Sequence, residues 1–423
     1  MEVAREIQIY NFAFMFSSLS VAGSVPGWLR NRISRRKNVI RESPPDCLFD
    51  PLLGRHQFVK VHGVKYHYVE AGSRQNQLVV CLHDFADFWY GWRSQLRGLE
   101  NNFRVVALDL KGFGDSEKPF LASNYKDDII LEELKKLVVS ISENDSKIVL
   151  MGHGLGGLIA WRFVEKYPEM VEKFIAISTP HPTVWLRHVM RSWRSVYENR
   201  FLYMCRLPYL PESDLLSNDI EVIRKQRRQS SSMTDLVHFS SLDEEAYKFT
   251  FSRASDWRGP VNYYRNLPLS SSSLISAAAP VVGSVETLFV VGNLDPDVSL
   301  DLVSQSSEFC KKFSVKIIDG AGHSPHQEKP DIVNKILMKF IKVPEIETQS
   351  SGQGHGREVI SNPPDILQIP TARQQLLSSY FRPTASVLGS TSSLLTSTLN
   401  TVTAPAKHIP LIGKYMTQVH DPS

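Results

Sequence analysis

The sequence predicts an α/β fold in which a mostly parallel, doubly wound sheet is interrupted by an all-helical insertion. Between residues 78 and 177, short apolar runs typical of buried strands alternate with segments of helical spacing. This alternation stops after Pro180-His181-Pro182 and resumes near residue 287. The intervening residues, about 183–275, are rich in arginine, serine and aromatic side chains and show helical patterns without strands. Such an insertion is expected to cover the carboxyl ends of the strands, where open sheets bind ligands.

Composition narrows the class of protein. The chain has 423 residues and a hydrophobic fraction of 42%, so a sizeable core is expected. Its net charge is only +4, from 48 basic and 44 acidic residues, which argues against nucleic acid as a partner. The four cysteines are far apart and form no Cys-x-x-Cys pair, which indicates buried thiols in a reducing compartment. We therefore predict no metal and no cofactor, and the oligomeric state stays open.

The first 40 residues are predicted to attach the protein to a membrane. Residues 7–29 contain no Asp, Glu, Lys or Arg and, as a helix, could cross roughly 30 Å of hydrocarbon. Five basic residues follow within positions 30–37, so the positive-inside bias places the main domain in the cytosol, with the endoplasmic reticulum as a candidate membrane. A helix lying in the interface plane is the alternative to a spanning one, and the sequence leaves this choice open.

The predicted elements follow in order. Residues 58–69 alternate around His62-Gly63, as an antiparallel hairpin does. Buried strands are predicted at 78–82, 105–108, 148–151, 174–177, 287–291 and 315–318, and helices at 89–99, 129–141, 158–167 and 332–340. The expected domains are a core in two parts (45–182 and 276–342), a helical cap (183–275) and a Ser/Thr-rich tail (343–423) that is predicted to be disordered.

The segment from Lys147 to Trp161 is the central motif. An apolar strand leads into Gly152-His153-Gly154-Leu155-Gly156-Gly157, and a helix follows. Strand, sharp glycine turn and helix form the layout of a nucleophile elbow, which exposes one strained side chain above the sheet. The residue at that point is Gly154, which has no side chain to expose. The motif therefore predicts the architecture of a hydrolase without its central reactive group.

Several motifs together resemble the α/β-hydrolase-fold epoxide hydrolases, in particular the membrane-anchored ones. The resemblance runs from about residue 45 to 342, with motifs in the family's order. The matching segments are His83-Asp-Phe-Ala-Asp-Phe-Trp-Tyr-Gly-Trp-Arg93, Asp109-Leu-Lys-Gly-Phe-Gly-Asp-Ser116, Gly152-His-Gly-Leu-Gly-Gly157, Pro180-His-Pro182, Leu207-Pro-Tyr-Leu-Pro-Glu212, Gly259-Pro-Val-Asn-Tyr-Tyr-Arg-Asn266, Gly292-Asn-Leu-Asp295 and Gly320-Ala-Gly-His-Ser-Pro-His-Gln-Glu-Lys-Pro330.

The resemblance implies a role for each matching position. In the family, an elbow aspartate attacks the epoxide and forms an ester, which an activated water hydrolyses. Carried over by motif, the base is His323 and its orienting acid is Asp295. The oxyanion donors are the N–H groups of Phe85 and Leu155, and the second cap tyrosine is Tyr264. Phe201, at the first cap-tyrosine position, and Trp89 are expected to line the substrate pocket.

This sequence departs from the family pattern at four positions. The nucleophile position is Gly154, so it is predicted to be vacant. Phe201 replaces a tyrosine and has no hydroxyl. In the His-Gly-x-Pro motif, Asp84 replaces the glycine and Ala86 replaces a proline that is usually cis. We expect the oxyanion loop to have relaxed, because a cis bond before alanine costs about 2–3 kcal/mol more than one before proline.

Other assignments within the site stay open. Asp297 is a second candidate for the orienting acid, and Tyr264 can instead simply pack the cap. His326 is predicted to be a surface residue rather than a second base. Asp84 is a candidate substitute carboxylate, but its backbone would have to re-aim the side chain, so this is the less favoured hypothesis.

Two functional hypotheses follow. The first is an epoxide-hydrolase-like protein without the ester-forming reaction, a pseudoenzyme that binds a small hydrophobic or lipid-like ligand. The second is a residual epoxide or ester hydrolase, in which His323 and Asp295 activate a water molecule directly. A serine esterase is excluded because the chain contains no Gly-x-Ser-x-Gly motif.

Overall fold

A computed structural model describes residues 2–33, 41–142, 146–216, 240–269, 282–342 and 367–368 of the chain. Its centre is one sheet with the strand order β1-β2-β4-β3-β5-β6-β7-β8-β9. The six strands from β4 to β8 pair in parallel, whereas β1, β2 and β9 pair antiparallel at the two edges. The α/β-hydrolase fold class predicted from the sequence is thus confirmed.

The strands and helices are bounded as follows. The strands are β1 (Arg55–Val61), β2 (Val64–Ala71), β3 (Leu78–Leu82), β4 (Arg104–Leu108), β5 (Ile148–His153), β6 (Val171–Ile177), β7 (Glu286–Gly292), β8 (Lys312–Ile318) and β9 (Leu367–Gln368). The helices are α1 (Glu2–Ile33), α2 (Arg93–Leu99), α3 (Asp127–Ile141), α4 (Gly154–Lys166), α5 (Pro182–Met190), α6 (Trp193–Glu198), α7 (Arg200–Met204), α8 (Leu210–Leu215), α9 (Ser241–Thr250), α10 (Ala254–Arg265), α11 (Leu300–Ser307), α12 (Pro325–Glu328) and α13 (Pro330–Ile341).

The apolar runs form the central strands because both faces of the sheet are covered. Every residue of β3, β4 and β5 is buried, as expected for parallel strands between two helical layers. The predicted hairpin at the edge is present as well. His62 and Gly63 both adopt positive φ, 50° and 86°, which is the backbone of a tight two-residue turn between β1 and β2.

The elbow differs from its prediction in where the strand ends. Strand β5 continues through His153, and α4 begins at Gly154 rather than near residue 158. Two of the glycines lie inside α4 because that helix passes very close to neighbouring elements. A Cβ on Gly156 would stand 2.3 Å from the carbonyl oxygen of Leu82, and one on Gly157 would stand 2.2 Å from the Thr179 hydroxyl.

Between β6 and β7 the described residues form helices α5 to α10 and no strand. Residues 217–239 and 270–281 of this inserted segment lie outside the described part of the chain. Two buried hydrogen bonds tie the segment to the loop after β3. The Tyr247 hydroxyl donates to Asp87 at 2.6 Å, and the Tyr90 hydroxyl donates to Asp243 at 2.7 Å. The inserted helices are therefore fixed over the ends of the strands.

The amino-terminal helix α1 packs on the inserted segment through aromatic side chains. The ring of Phe12 lies 5.3 Å from that of Trp193 and 5.7 Å from that of Tyr203, between centroids. Within the described residues, no helix combines the length and hydropathy that crossing a bilayer requires. Apart from β9, the predicted disordered tail lies outside the described residues.

Candidate active site

A pocket lies at the carboxyl ends of the central strands, beneath the inserted helices. Its volume is about 870 Å³, including the part that opens to solvent. Loops after β3, β5, β6, β7 and β8 supply most of its floor, as is usual for ligand sites in open α/β sheets. Its lining residues are Asp84, Phe85, Gly154, Leu155, Leu158, Ser178, Thr179, Pro180, Trp185, His188, Asn199, Phe201, Tyr264, Asp297, Val298 and His323.

The turn at Gly154 has the strained backbone that an elbow requires. Gly154 adopts a φ of 50°, a left-handed conformation that glycine tolerates at little cost. The loop after β3 packs directly on this turn. The N–H of Gly156 donates to the carbonyl of His83 at 3.0 Å, which fixes the loop beside the start of α4.

The space beside Gly154 is filled by the carboxylate of Asp84. A Cβ built on Gly154 would lie 1.8 Å from Oδ1 of Asp84, 2.0 Å from its Cγ and 2.5 Å from Oδ2. The sequence predicts a vacant nucleophile position here, whereas the structure places an acid in that position from a different strand. The less favoured hypothesis, that Asp84 substitutes for the missing carboxylate, matches this geometry.

His323 lies between two carboxylates. Its Nδ1 is 3.1 Å from both oxygens of Asp295, and its Nε2 is 3.7 Å from Oδ2 of Asp84. Asp295 is held in turn by the N–H groups of Asp297 and Val298, at 2.9 and 3.2 Å. The structure thus brings together the base and the acid that the resemblance implies. Asp297, the other candidate acid, lines the pocket and presents its N–H to Asp295.

The charges of these groups stabilise one another. Burial disfavours the charged form of His323, but its ion pairs with Asp295 and Asp84 raise its pKa well above the usual value. Burial likewise disfavours ionisation of Asp84. The ion pair with His323 and the hydrogen bond from the N–H of Leu155 outweigh burial and lower the pKa of Asp84 to about 2. The imidazolium of His323 and the carboxylate of Asp84 therefore favour each other's charged form.

One oxygen of Asp84 accepts a hydrogen bond from a backbone N–H that is a predicted oxyanion donor. The N–H of Leu155, the first residue after the elbow glycine, donates to Oδ1 of Asp84 at 2.6 Å. Short hydrogen bonds to an ionised oxygen are strong, so this contact fixes the carboxylate. Phe85, whose N–H is the other predicted donor, follows Asp84 directly and lines the same pocket.

The upper wall of the pocket is aromatic. The ring of Tyr264 lies 4.9 Å from that of Phe85 and 6.3 Å from that of Phe201, between centroids. Tyr264 and Phe201 both come from the inserted helices and both line the pocket, as the sequence predicts. Tyr263 points elsewhere and packs on Phe113 and Tyr125.

Trp89 requires a correction, because it is absent from the lining of the described pocket. Its ring lies 5.1 Å from that of His56, between centroids, and its backbone N–H donates to Oδ1 of the buried Asp109 carboxylate at 2.8 Å. Trp89 therefore helps to hold the loops after β3 and β4 together rather than contacting a ligand.

His326 requires a correction as well. It was predicted to lie at the surface, but it is fully buried and its ring lies 4.5 Å from that of Trp92. The reason is that α12 turns inward beneath the pocket, where His326 also packs on His153 at 4.7 Å. His153 donates a hydrogen bond from Nε2 to the carbonyl oxygen of His323 at 2.9 Å, and burial lowers its pKa, so it remains neutral.

Three of these side chains could also hold a metal ion. Asp84, His153 and His323 offer ligand atoms within 4.8 Å of one another. Asp84 binds the N–H of Leu155, and His323 pairs with Asp295. Asp84, His323 and Asp295 therefore also form a carboxylate–imidazole–carboxylate triad.

The chain is similar to known proteins in sequence and in fold. A family model described as the alpha/beta hydrolase fold matches residues 77–330. Epoxide hydrolase 4 of Homo sapiens is 36% identical over 311 residues, which cover 71% of this chain and 83% of that protein. Epoxide hydrolase 3 of Xenopus tropicalis is 32% identical over 317 residues, which cover 71% and 82%.

This chain belongs to the epoxide-hydrolase-like family of α/β hydrolases. Among solved structures, a Bacillus megaterium epoxide hydrolase in complex with an inhibitor is similar, with a TM-score of 0.59 and 26% identity. The match covers 67% of this chain and 99% of the bacterial one. The predicted family is thus confirmed.

The sequence-based prediction gave little weight to Asp84, whose carboxylate lies where a side chain on Gly154 would begin. The signal was a reciprocal exchange between two motifs. Asp84 stands where the resemblance implies glycine, and Gly154 stands where it implies aspartate. Taken together, the two departures describe one carboxylate moved between adjacent strands, since β3 and β5 are direct neighbours in the sheet.

Proposed function

We propose that this protein hydrolyses epoxides on small hydrophobic or lipid-like molecules to diols. The observation that carries the proposal is the His323–Asp295 pair, which faces an aromatic pocket already containing a second carboxylate. An oriented imidazole can activate water, and Tyr264 can donate a proton to the opening epoxide oxygen. The oxyanion that forms during hydrolysis would be stabilised by the N–H groups of Phe85 and Leu155.

The replacement of one tyrosine by Phe201 is expected to limit the rate. Phe201 occupies the position at which the resemblance implies a first tyrosine, so Tyr264 is the one tyrosine among the described residues that line the pocket. We expect turnover to be slow, since the loss of one transition-state donor typically lowers the rate about 10²–10³-fold.

The test is incubation of the full-length protein with a panel of lipid epoxides, with diols measured by mass spectrometry. Asp295→Asn should lower diol formation by at least about 100-fold, because His323 then loses the charge that orients it. Asp331→Asn is the matched control, since Asp331 is exposed in the first turn of α13 and absent from the pocket lining. If the wild-type protein forms no diol from any epoxide, the proposal fails.

A second candidate function is ligand binding without turnover. It is favoured by Phe201, which removes one donor, and by the Leu155 N–H, which Asp84 already occupies. In that case a hydrophobic molecule would copurify with the protein and be recovered unchanged. Mass spectrometry of the extracted ligand, before and after prolonged incubation, separates this candidate from the hydrolase.

We also infer that helix α1 docks on a membrane surface rather than spanning the bilayer, with the main domain on the cytosolic side. One face of α1 packs on the inserted helices through Ile9, Ala13 and Phe16, which are buried. The opposite face exposes a row of large apolar side chains at helical spacing: Val3, Ile7, Tyr10, Phe14, Met15 and Leu19. Such a row fits the acyl boundary of a lipid leaflet.

The basic cluster after residue 29 supports the same partner. Arg30, Arg32, Arg35, Arg36 and Lys37 follow the apolar part of α1 in sequence and would attract anionic headgroups. Helix α1 also contacts α7, which carries the pocket residue Phe201. A lipophilic substrate would therefore reach the pocket from the side that faces the membrane.

A further inference from the structure

We propose that Asp84 is the nucleophile of this enzyme, acting from the loop after β3 in place of the side chain that Gly154 lacks. The inference rests on the proposed hydrolysis of an epoxide and adds the residue that forms the covalent bond.

The carboxylate of Asp84 fills the space in which a side chain at position 154 would lie. All three atoms of the Asp84 carboxylate lie within 2.5 Å of the position that a Cβ on Gly154 would take. Non-bonded carbon and oxygen atoms do not approach so closely, so the two positions cannot both carry a side chain. The glycine at the elbow is thus required by the aspartate of the neighbouring strand.

The two oxygens of the Asp84 carboxylate contact different groups. Its Oδ1 accepts the N–H of Leu155 at 2.6 Å, and its Oδ2 faces Nε2 of His323 at 3.7 Å. One oxygen is thereby fixed at an oxyanion donor, while the other is directed toward the base. A nucleophile whose ester must later be attacked by an imidazole-activated water needs this division of roles.

The backbone of the loop after β3 is fixed on both sides of Asp84. His83 makes a hydrogen bond from Nδ1 to the carbonyl of Asp84 at 2.8 Å and accepts the N–H of Leu110 at Nε2, at 3.1 Å. Two residues further on, Ala86 adopts a φ of 57°. This is unusual for a residue with a Cβ and marks a strained turn of the kind found at functional sites. The side chain of Asp84 is therefore aimed by a fixed backbone.

The reaction balances with the groups present. An oxygen of the Asp84 carboxylate attacks one epoxide carbon, the carbon–oxygen bond of the ring breaks, and its electron pair goes to the ring oxygen. Tyr264 protonates that oxygen, and the tyrosinate regains its proton from the His323 imidazolium. Esterification removes the negative charge of Asp84, so the pKa of His323 falls and the neutral imidazole can act as a base.

The second half regenerates the site. His323 takes a proton from water, and the hydroxide attacks Cγ of Asp84 while the N–H groups of Leu155 and Phe85 bind the oxyanion. The bond between Cγ and the ester oxygen breaks, and the leaving alkoxide takes the remaining proton of the attacking hydroxide, so that a neutral diol leaves. The carboxylate of Asp84 and the imidazolium of His323 are restored, and the net reaction consumes one epoxide and one water.

The test is a single turnover in H₂¹⁸O with enzyme in excess over a lipid epoxide. Attack by Asp84 predicts a first-turnover diol without ¹⁸O and one ¹⁸O atom in the peptide that contains Asp84. An ¹⁸O-labelled diol in the first turnover would overturn the inference while leaving the proposed hydrolase intact, because it shows direct attack by water.

Variants complete the test. Asp84→Asn should lower turnover at least about 1,000-fold, since it removes the attacking charge. Asp115→Asn, an exposed aspartate outside the pocket lining, should leave turnover unchanged. Thermal unfolding shows whether each variant folds. If an epoxide adduct forms on Asp84 but no diol is released, the result supports Asp84 as the nucleophile although the proposed function fails. If no epoxide gives either an adduct or a diol, both proposals are overturned.

Discussion

At the scale of single residues, the site is explained by an exchange between Asp84 and Gly154. Gly154 carries no carboxylate, and Asp84, in the loop after the adjacent strand β3, places one beside it. His323 consequently lies between two acids. These three charged side chains come together from the loops after β3, β7 and β8.

The exchange predicts how the two positions respond to mutation. Gly154→Asp alone should destabilise the protein, because its Cβ would overlap Asp84 and a second charge would be buried beside the first. The double variant Asp84→Gly with Gly154→Asp relieves both conflicts and should recover the lost stability. Thermal unfolding of the two variants measures this, and a double variant no more stable than the single one would contradict the account.

The same triad predicts a pH dependence. Because the pKa of His323 is raised in the folded state, its imidazolium stabilises the fold fully below the unfolded pKa, near 6.5. This contribution is lost as the pH rises through the folded pKa. Asp84→Asn removes one of the two carboxylates and should lower the pKa of His323.

NMR titration of the His323 ring, together with the pH profile of the melting temperature, provides the measurement. In Asp84→Asn the alkaline loss of stability should begin at a lower pH than in the wild type. Identical titration curves for the two proteins would show that Asp84 does not interact with His323.

Sequence reasoning reached some of these residues and not others. The partners His323 and Asp295 could be predicted because each stands in its own short motif. The position of the Asp84 side chain could not, since it depends on the φ and ψ angles of the loop that follows β3. His326 was misplaced for a related reason: a single polar residue gives no signal of whether its helix turns inward.

At the scale of elements, the strands were predictable because buried parallel strands are continuous apolar runs. The residue at which β5 ends and α4 begins was less predictable. The glycines that resemble a loop in the sequence lie inside a helix, where close contact with Leu82 and Thr179 excludes side chains. Glycine can therefore signal close packing as well as a turn.

The loop after β3 carries its own prediction. Proline at position 86 would restore the motif that the resemblance implies, but the observed φ of 57° is incompatible with the proline ring. Ala86→Pro should therefore destabilise the protein by more than about 1 kcal/mol and displace the Asp84 carboxylate. Denaturant unfolding measures the loss. A variant as stable as the wild type would show that the loop has a different backbone.

At the scale of the whole molecule, α1 and the inserted helices form one side of the protein. Their shared interior is aromatic, and the outer face of α1 is apolar. Hydropathy along the sequence suggested attachment to a membrane but could not decide how. The burial of one face of α1 against the protein is what favours an orientation in the interface plane.

Docking of α1 on a membrane predicts that binding to lipid vesicles weakens when an exposed apolar side chain of α1 is removed. Phe14→Ser removes a large apolar side chain from the exposed row and should weaken binding to anionic lipid vesicles by roughly tenfold, since burying such a side chain contributes about 1.5–3 kcal/mol. Gln8→Ser, on the same helix and also exposed, is the matched control.

Vesicle co-sedimentation of the full-length protein measures both variants. Equal binding by Phe14→Ser and the wild type would contradict docking through this face. Concentration-dependent self-association that Phe14→Ser abolishes would instead assign the apolar row to a second copy of the chain.

The most direct test of the central claim is to trap the ester. In His323→Gln the water-activating base is absent, so an ester formed with a lipid epoxide should accumulate. Peptide mass spectrometry is expected to show the mass of the epoxide added to the peptide that contains Asp84. An adduct on any other residue, or diol formed by His323→Gln at the wild-type rate, would contradict the account.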